Sequence, residues 1–463
     1  MPAIDFTGTF DGNGHTINNI NIIDEDKTPH PGDGDNQSSS DIGLFARLGS
    51  GGTVKNLKVT GSVSGGERGI NVGGIVGANN GGIVTNCTFS GSVSGGSAMN
   101  VGGIVGQNSS SVTDCTFSES LSGNGNVGGI VGQNSGSVTD CANSGSFNIS
   151  GSGNFGGVVG NNSGSVTGCS NSGRISVPMT NPPSSASGNL GGVVGQNSGA
   201  GARITSCYNI GDLCNDLPSG SFDGNLGGVV GSNSGNSGVM NSYNTGTIGN
   251  SIVSFVSGTV GGVIGSNTDN SNVTNCYSAG GFGKINIATV GGVVGNNGAT
   301  VDKCYFLQTD TVNTGQASIG SGEQTGVTAV SDLTDPKKFQ GWDFANIWRI
   351  SQSLNRPVLQ ENAQDGLPPG LGTEASPYRI STADELKSFR DIVNDVDGNA
   401  DGNADGNPAA HAELMNDIDL SSICNETNPW EPIGNGGGTS GGNTFEGYFD
   451  GQGHSVKNLV VGL

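Results

Sequence analysis

The chain has 463 residues, of which 87 are glycine, and a formal net charge of -22 from 17 basic and 39 acidic residues. This charge excludes the basic stripes that neutralise nucleic-acid phosphates, and no apolar run approaches the ~20 residues of a membrane span. Abundant glycine without a Gly-X-Y period leaves either low-complexity disorder or a fold with frequent tight turns. Short runs of Val, Ile, Leu and Phe at regular places favour the ordered fold.

The amino end opens on a strand-like segment that contains Phe6, Phe10, Ile17, Ile20 and Ile22. It is preceded by no charged n-region and no apolar h-region, so we expect any secretion signal to lie outside this chain. An acidic loop follows from Asp24 to Asp41 and includes Asp33 and Asp35. This loop is either solvated or a candidate for calcium binding.

One pattern recurs down the middle of the chain: an apolar residue, two glycines, two β-branched residues, a glycine, a variable residue and asparagine. The copies are VGGIVGAN from Val72, VGGIVGQN from Val101 and Val127, FGGVVGNN from Phe155, LGGVVGQN from Leu190, LGGVVGSN from Leu226, VGGVIGSN from Val260 and VGGVVGNN from Val290. Successive copies begin 26 to 36 residues apart, which is a solenoid period. Such a unit cannot bury its own apolar face, so we expect neighbours to stack at ~4.8 Å per rung.

The sequence therefore predicts an all-β fold, a parallel β-helix with capping segments and one short helix near the carboxyl end. The general preference of parallel crossovers predicts a right-handed coil. The asparagine that ends each copy is predicted to form a ladder of side-chain amides, or to occupy a left-handed turn. The ladder residues are Asn79, Asn108, Asn134, Asn162, Asn197, Asn233, Asn267 and Asn297.

Cysteines form a second column in register with the first, each ending a V-T-x-C-like segment. The column is Cys87, Cys115, Cys141, Cys169, Cys207, Cys276 and Cys304. We expect these thiols to be buried and reduced, because side chains that stack in a column point in parallel instead of facing each other. Disulfides between adjacent rungs are the alternative, and Cys207 with Cys214 is the pair best placed for one. The absence of a C-x-x-C pair gives a zinc site little support.

These motifs resemble the GLUG-motif repeats of bacterial surface and adhesin-like proteins, and the resemblance covers about residues 42 to 310. It implies a β-helical module at the cell surface or outside the cell. It implies no defined ligand, because the family is functionally diverse.

The coils are predicted to occupy residues 1–310, followed by an aromatic capping segment at 311–360, which contains Trp342, Phe344 and Trp348. Residues 361–375 read as a Pro- and Gly-rich linker. Residues 376–463 are predicted to start a second module. Thr382 and Glu385 form a capping box there, opening a helix with Leu386, Phe389 and Val393 on one face.

The carboxyl end repeats the amino end, because residues 445–456 align without gaps on residues 6–17. Two explanations compete: the chain is one stretch of a tandem array, or its ends join head to tail into a filament. The predicted contact residues are Phe6, Phe10, Ile17, Ile20 and Ile22 at the amino end and Phe445, Phe449, Val456, Leu459 and Val461 at the carboxyl end. The partner is accordingly a second copy or a neighbouring module of the same chain.

A glycine-flexed loop supplies the hard oxygen ligands that calcium prefers. The candidate ligands are Asp395, Asp397, Asn399, Asp401 and Asp405. The spacing is not that of an EF-hand, since Ala400 holds the place of its invariant glycine. A solvated acidic loop is the alternative.

We expect a non-enzymatic, extracellular or cell-surface structural protein, a stalk or a head-to-tail filament subunit. A carbohydrate- or protein-binding adhesin module, contacting host or bacterial surface glycans or proteins, is the alternative. A β-helix that cleaves polysaccharides would need carboxylates clustered on neighbouring rungs, and the repeats carry few charges.

Overall fold

The structure is a computed structural model that describes most of the chain. The chain divides into two compact units, Met1–Ser331 and Asp332–Leu463. Each unit is described by itself. The described residues are 5–24, 40–66, 69–177, 185–214, 221–249, 254–283, 285–286, 289–309, 317–351, 354–360, 368–370, 372–374, 377–394, 407–434 and 444–462.

One face of the first unit is a parallel sheet that has ten strands within the described residues. These strands come mainly from the repeated V-G-x-N segment. They are Phe45–Leu48, Val76–Asn79, Val105–Asn108, Val131–Asn134, Val159–Asn162, Val194–Ser198, Val230–Ser234, Ile264–Asn267, Val294–Asn297 and Ile319–Gly322.

The remaining faces form a second parallel sheet, of 29 strands in the described part of the chain. They are Thr9–Asp11, Thr16–Ile23, Ser40–Ile42, Thr53–Ser64, Gly69–Gly73, Ile83–Ser94, Asn100–Gly102, Ser111–Thr113, Thr116–Gly128, Ser137–Thr139, Ala142–Asn143, Ser146–Gly156, Ser165–Thr167, Ser170–Asn171, Ile175–Ser176, Ser185–Gly191, Arg203–Thr205, Tyr208–Asn209, Ser221–Gly227, Gly238–Met240, Tyr243–Asn244, Ser254–Gly261, Asn272–Thr274, Tyr277–Ser278, Ile285–Asn286, Thr289–Gly291, Thr300–Asp302, Cys304–Leu307 and Val327–Val330.

Equivalent positions of successive coils pair in register. Val105 lies beside Val131 in one sheet, and Val112 lies beside Val138 in the other. Buried valine, isoleucine, phenylalanine and cysteine side chains fill the interior as continuous columns. The predicted all-β, parallel β-helical fold is therefore confirmed, and its handedness stays a prediction. The coils continue beyond residue 310, because Val327–Val330 pairs with Cys304–Leu307.

Local backbone geometry explains which residue types occupy the third position of V-T-x-C. Asn86, Asp114, Asp140 and Asn275 occupy this place with φ between 50° and 54°. Asparagine, aspartate and glycine tolerate this left-handed conformation best, so the residue marks a corner of the coil. The second glycine of the V-G-G motif is required for a different reason, which is close packing between coils. A Cβ at Gly103 would lie 2.1 Å from the carbonyl oxygen of Gly129, so only glycine fits there.

The predicted asparagine ladder runs through the first unit. Each Nδ2 donates to the Oδ1 of the next coil at 2.7–3.0 Å, from Asn79 to Asn297. A second ladder, from Asn225 down to Asn71, donates in the opposite direction. It ends where Asn71 donates to the Asp41 carboxylate, which also pairs with Arg47. Buried amides thus satisfy one another along the stack.

The second unit contains the helix Ala383–Asn394 and a short 3-10 helix, Pro336–Lys338. The capping box is present, since the Thr382 hydroxyl accepts from the Glu385 N–H at 3.2 Å and the Glu385 carboxylate accepts from the Thr382 N–H at 3.1 Å. The predicted helix is confirmed, and Leu386, Phe389 and Val393 are buried.

Short strands accompany this helix in the second unit. Trp348–Ser351 and Arg356–Leu359 pair antiparallel. The other pairings are parallel: Tyr378–Ile380, Ala412–Leu414 and Phe449–Asp450 form one sheet, and Ile418–Asp419 pairs with Val456–Lys457. Parallel rungs therefore begin again in this unit. Trp342 and Trp348, from the predicted capping segment, stack here with ring centroids 4.3 Å apart.

Candidate functional site

Two rungs with matching sequences are the candidate assembly site. Residues 5–24 are named the amino rung and residues 444–462 the carboxyl rung. The amino rung contains the strands Thr9–Asp11 and Thr16–Ile23, and the carboxyl rung contains Phe449–Asp450 and Val456–Lys457.

The two rungs have the same backbone at their turns. Asn13 and Gln452, which align, have φ of 47° and 48°. Asn19 and Asn458 also align, with φ of 57° and 58°. Left-handed residues at matching places bend two chains in the same way. The sequence repeat is therefore also a structural repeat.

The turn hydrogen bonds match as well. The Asp11 carboxylate accepts from the Asn13 N–H at 2.9 Å, and the Asp450 carboxylate accepts from the Gln452 N–H at 2.9 Å. Each aspartate thus closes an Asx turn, which the fold builds from local sequence alone.

The amino rung is covered on one side by the strand Thr53–Ser64. Ile17 lies opposite Val59, and Ile22 lies opposite Val63. Both isoleucines are half-buried and pack against the main core. Phe6 and Phe10 also pack there, each with its ring centroid 5.3 Å from that of Phe45. The neighbouring coil, not the rung itself, buries these side chains.

The apolar row of the carboxyl rung is more exposed, although Val456 lies opposite Ile418 of the preceding rung. Val456 is 40% exposed, Leu459 53% and Val461 52%. Phe449–Asp450 pairs with Ala412–Leu414 on one side, and among the described residues no strand pairs with its other side. The rung therefore presents an apolar row at an open sheet edge.

The aromatic residues of the carboxyl rung pack against the helix of the second unit. The ring centroids of Phe445 and Phe449 lie 6.0 Å and 5.7 Å from that of Phe389 on the helix. Both are half-buried against the core of the second unit. Of the predicted carboxyl contact residues, the structure thus leaves Val456, Leu459 and Val461 accessible.

The aligned aspartates of the two rungs, Asp11 and Asp450, have different partners. Lys55 of the covering strand forms an ion pair with Asp11 at 3.2 Å, and Asn56 donates to the same carboxylate at 3.0 Å. The Asn13 N–H, Asn56 and Lys55 together lower the pKa of Asp11. At the carboxyl rung, the Gln452 amide donates to Asp450 at 3.0 Å.

The cysteine column lies in the core of the coils. All seven thiols are buried and free of disulfides, and Cys207 and Cys214 are not bridged. Each Sγ contacts the backbone oxygen two residues earlier, as Cys141 does with Thr139 at 3.2 Å. Burial raises the pKa of Cys141. A buried thiol in this state packs as a small apolar side chain and is unreactive.

Tyrosines beside this column also belong to the interior. The ring centroids of Tyr208, Tyr243 and Tyr277 stack at 5.2 Å and 5.0 Å, and Tyr243 and Tyr277 are fully buried. The described coils therefore use this row as core, and it provides no aromatic face for a ligand.

The predicted calcium ligands Asp395, Asp397, Asn399, Asp401 and Asp405 lie outside the described residues, as do Asp33 and Asp35 of the first acidic loop. Within the described part, no three acidic, histidine or cysteine side chains are grouped to hold a metal ion. Calcium binding by the loop at 395–405 stays a prediction. A fall in thermal stability on chelation would support it, and no calcium effect at millimolar concentration would contradict it.

A cavity of about 360 Å³ opens on the second unit. Glu413 and Asp450 occupy equivalent positions of neighbouring rungs at its wall, and Gln452 donates to both. Tyr448, which is 61% exposed, and His411 have ring centroids 6.4 Å apart. The full lining is Glu374, Pro377, His411, Ala412, Glu413, Tyr448 and Asp450.

The GLUG motif model matches residues 69–94 and 97–122, two successive coils of the first unit. The chain carries GLUG motifs. The residues matched include Cys87 and Cys115, two of the seven cysteines of the column. No curated protein and no solved structure matches the chain. Among the described residues, no helix has the length and apolar character needed to cross a membrane.

Sequence reasoning missed several residues in both units. The ion pair between Lys55 and Asp11 was not predicted, because it depends on the register between distant residues. The Asp41 terminus of the second asparagine ladder and the carboxylate pair of Glu413 and Asp450 were missed for the same reason. The second ladder itself had a signal, since an asparagine directly precedes most GLUG-like copies.

Proposed function

We propose that this protein is a non-enzymatic, extracellular structural element, a β-helical stalk or filament subunit that joins head to tail through its matching rungs. One observation carries the proposal: the carboxyl rung repeats the backbone of the amino rung but has its apolar row exposed. The GLUG motif adds support for a surface role through its resemblance to bacterial surface proteins.

The expected driving force is burial of the exposed row. Fully burying a Val or Leu side chain contributes about 1.5–3 kcal/mol, so covering the half-exposed Val456, Leu459 and Val461 contributes roughly 1 kcal/mol each. Backbone hydrogen bonds along the open edge add to this. Both contributions require a partner with strands in the same register.

Electron microscopy of the purified full chain across a dilution series tests the proposal. We expect unbranched filaments that shorten on dilution, and a double substitution, Leu459→Ser with Val461→Ser, that abolishes them. Ile83→Ser is the matched control, because Ile83 is 47% exposed on a coil. Particles of one copy at every concentration, or equal loss of filaments in the control, would contradict self-assembly.

The cavity of the second unit favours a second candidate function, binding of a saccharide. Tyr448 and His411 offer ring faces, and Glu413 and Asp450 offer hydrogen-bond acceptors for hydroxyl or amino groups. Such a mixture of rings and a few polar groups is typical of small-molecule sites. Titration with a panel of neutral and amino sugars tests it, with Tyr448→Ala expected to abolish binding and Ile83→Ser to preserve it. Unchanged binding in Tyr448→Ala would exclude this cavity.

A further inference from the structure

We propose that the joining occurs by exchange: the carboxyl rung of one copy binds the strand Thr53–Ser64 of a second copy in the place of that copy's own amino rung. This inference rests on the proposed head-to-tail function and names its binding surface. The alternative is addition, in which the carboxyl rung stacks on the free edge of an amino rung that stays in place. Three features of the described rungs distinguish the two modes.

The first feature is the shape of the receiving strand. The register between the amino rung and Thr53–Ser64 shifts between Ile17 and Ile20, at the left-handed Asn19. Gly61 receives this bulge, and a Cβ at Gly61 would lie 2.1 Å from the Ile20 carbonyl oxygen. The receiving strand must therefore have glycine at this place.

Asn458 of the carboxyl rung has the same left-handed backbone as Asn19, so we expect this rung to form the same bulge when it pairs with Thr53–Ser64. Exchange sets the bulge against Gly61, where it fits. Addition in register sets the bulge of the carboxyl rung against Ile20 instead of a glycine. The Cβ of Ile20 would then take the place of the Cβ that Gly61 lacks, and it would clash with the backbone of the bulge. Sterics therefore favour exchange.

The second feature is charge. In the amino rung, Asp11 lies in register with Lys55 and pairs with it. Exchange places Asp450 opposite Lys55, so the ion pair forms again between copies. Addition places Asp450 opposite Asp11, and like charges directly opposite on neighbouring strands are destabilising.

The third feature is the apolar row. Val59 and Val63 lie opposite Ile17 and Ile22 in the amino rung. Exchange sets the same two valines against Val456 and Val461, which replace isoleucine by valine at both positions. The row that is exposed in the carboxyl rung would then be covered as it is in the amino rung.

Reversing one charge separates the two modes because they predict opposite signs. Under exchange, Asp450→Lys faces Lys55 and raises the critical concentration for filaments about fivefold; under addition it faces Asp11 and lowers that concentration. Adding Lys55→Asp to Asp450→Lys should restore assembly under exchange. Glu446→Lys is the control, because Glu446 is exposed in the same rung and the net charge changes equally.

Cysteine cross-linking gives the second measurement. A chain with Lys55→Cys and Asp450→Cys, treated with a short bismaleimide that can span two parallel side chains, should form cross-linked ladders under exchange, whereas Asp11→Cys with Asp450→Cys should not. Tighter assembly of Asp450→Lys, or ladders only from the Asp11→Cys pair, would overturn exchange while the head-to-tail function stands. Absence of filaments in the unaltered chain would overturn both.

Discussion

The amino and carboxyl rungs have the same turns and aligned sequences, yet their apolar side chains are exposed to different extents. Ile17 is half-buried under Val59, whereas its counterpart Val456 is 40% exposed. Each rung pairs with one neighbouring rung, because Ile17 lies opposite Val59 and Val456 lies opposite Ile418, so the two neighbours cover their rungs to different extents. In a stacked fold, the stability of a rung therefore depends on the contacts that it makes with the neighbouring rung as well as on its own sequence.

The coils of the first unit show a similar dependence on their neighbours in their polar groups. Asn108 is fully buried, and its amide donates to the Asn134 side chain and to the Ser137 carbonyl oxygen, both one coil further on, as well as to the Ser110 carbonyl oxygen. An asparagine ladder is therefore costly to interrupt and needs a suitable end. The ladder that ends at Asp41 has a carboxylate to accept its last amide hydrogen.

The largest expected effect comes from breaking the contact that covers the amino rung. Gly61→Ala places a Cβ 2.1 Å from the Ile20 carbonyl oxygen, at a residue whose φ is 134°. We expect the free energy of opening of the amino rung to fall by about 3 kcal/mol. Amide hydrogen exchange at Phe10 and Ile17 measures it.

Gly14→Ala and Gly453→Ala are matched controls for this substitution. Both glycines have left-handed φ, near 78°, and no atom lies within 4 Å of an added Cβ. Each should cost about 1 kcal/mol from backbone strain alone. A loss in Gly61→Ala no larger than in these controls would show that the bulge is not held by close approach.

Truncating aligned apolar residues gives the next largest difference. We expect Ile17→Ala to lower the opening free energy of the amino rung by about 1.5 kcal/mol, because Val59 covers its side chain. Val456→Ala should lower that of the carboxyl rung by only about 0.5 kcal/mol in dilute solution. Hydrogen exchange reports both, and equal losses would mean that the carboxyl rung is already covered.

Much of this comparison was accessible from sequence. Periodic Gly-Gly pairs and the cysteine column predicted the parallel β-helix, because each recurs once per coil. The capping box of Thr382 and Glu385 predicted the helix, because helix caps are local. These features share one property: the signal and the structure lie within a few residues or repeat identically.

The rest depends on register between distant residues. Lys55 meets Asp11 only because the intervening chain closes one coil, and loops of variable length hide that spacing in the sequence. Leu459 was predicted as a contact residue, but the alignment gives no measure of how exposed its side chain is. Alignment of residues 445–456 on 6–17 predicted the likeness of the rungs but not their difference.

Thiol labelling sharpens the comparison without a substitution in either rung. The Cys424 Sγ lies 3.2 Å from the Val460 carbonyl oxygen and accepts the Val460 N–H at 3.3 Å, so it reports opening of the carboxyl rung. We expect alkylation of Cys424 several-fold faster than of Cys141, measured by mass spectrometry. Filament formation should slow Cys424 selectively, and an unchanged rate in filaments would place the contact elsewhere.

The smallest effect is a pH dependence confined to the amino rung. The Asn13 N–H, Asn56 and Lys55 lower the pKa of Asp11 below its ordinary value of about 3.9. A lowered pKa in the folded state means that the contribution of Asp11 is complete above the ordinary value and is lost as pH falls through the folded pKa. Hydrogen-exchange protection of the amino rung should therefore be constant from neutral pH to about pH 5 and decline below about pH 4. Asp11→Asn should remove this decline, because an amide does not titrate; a decline of the same size in Asp11→Asn would assign it to another carboxylate.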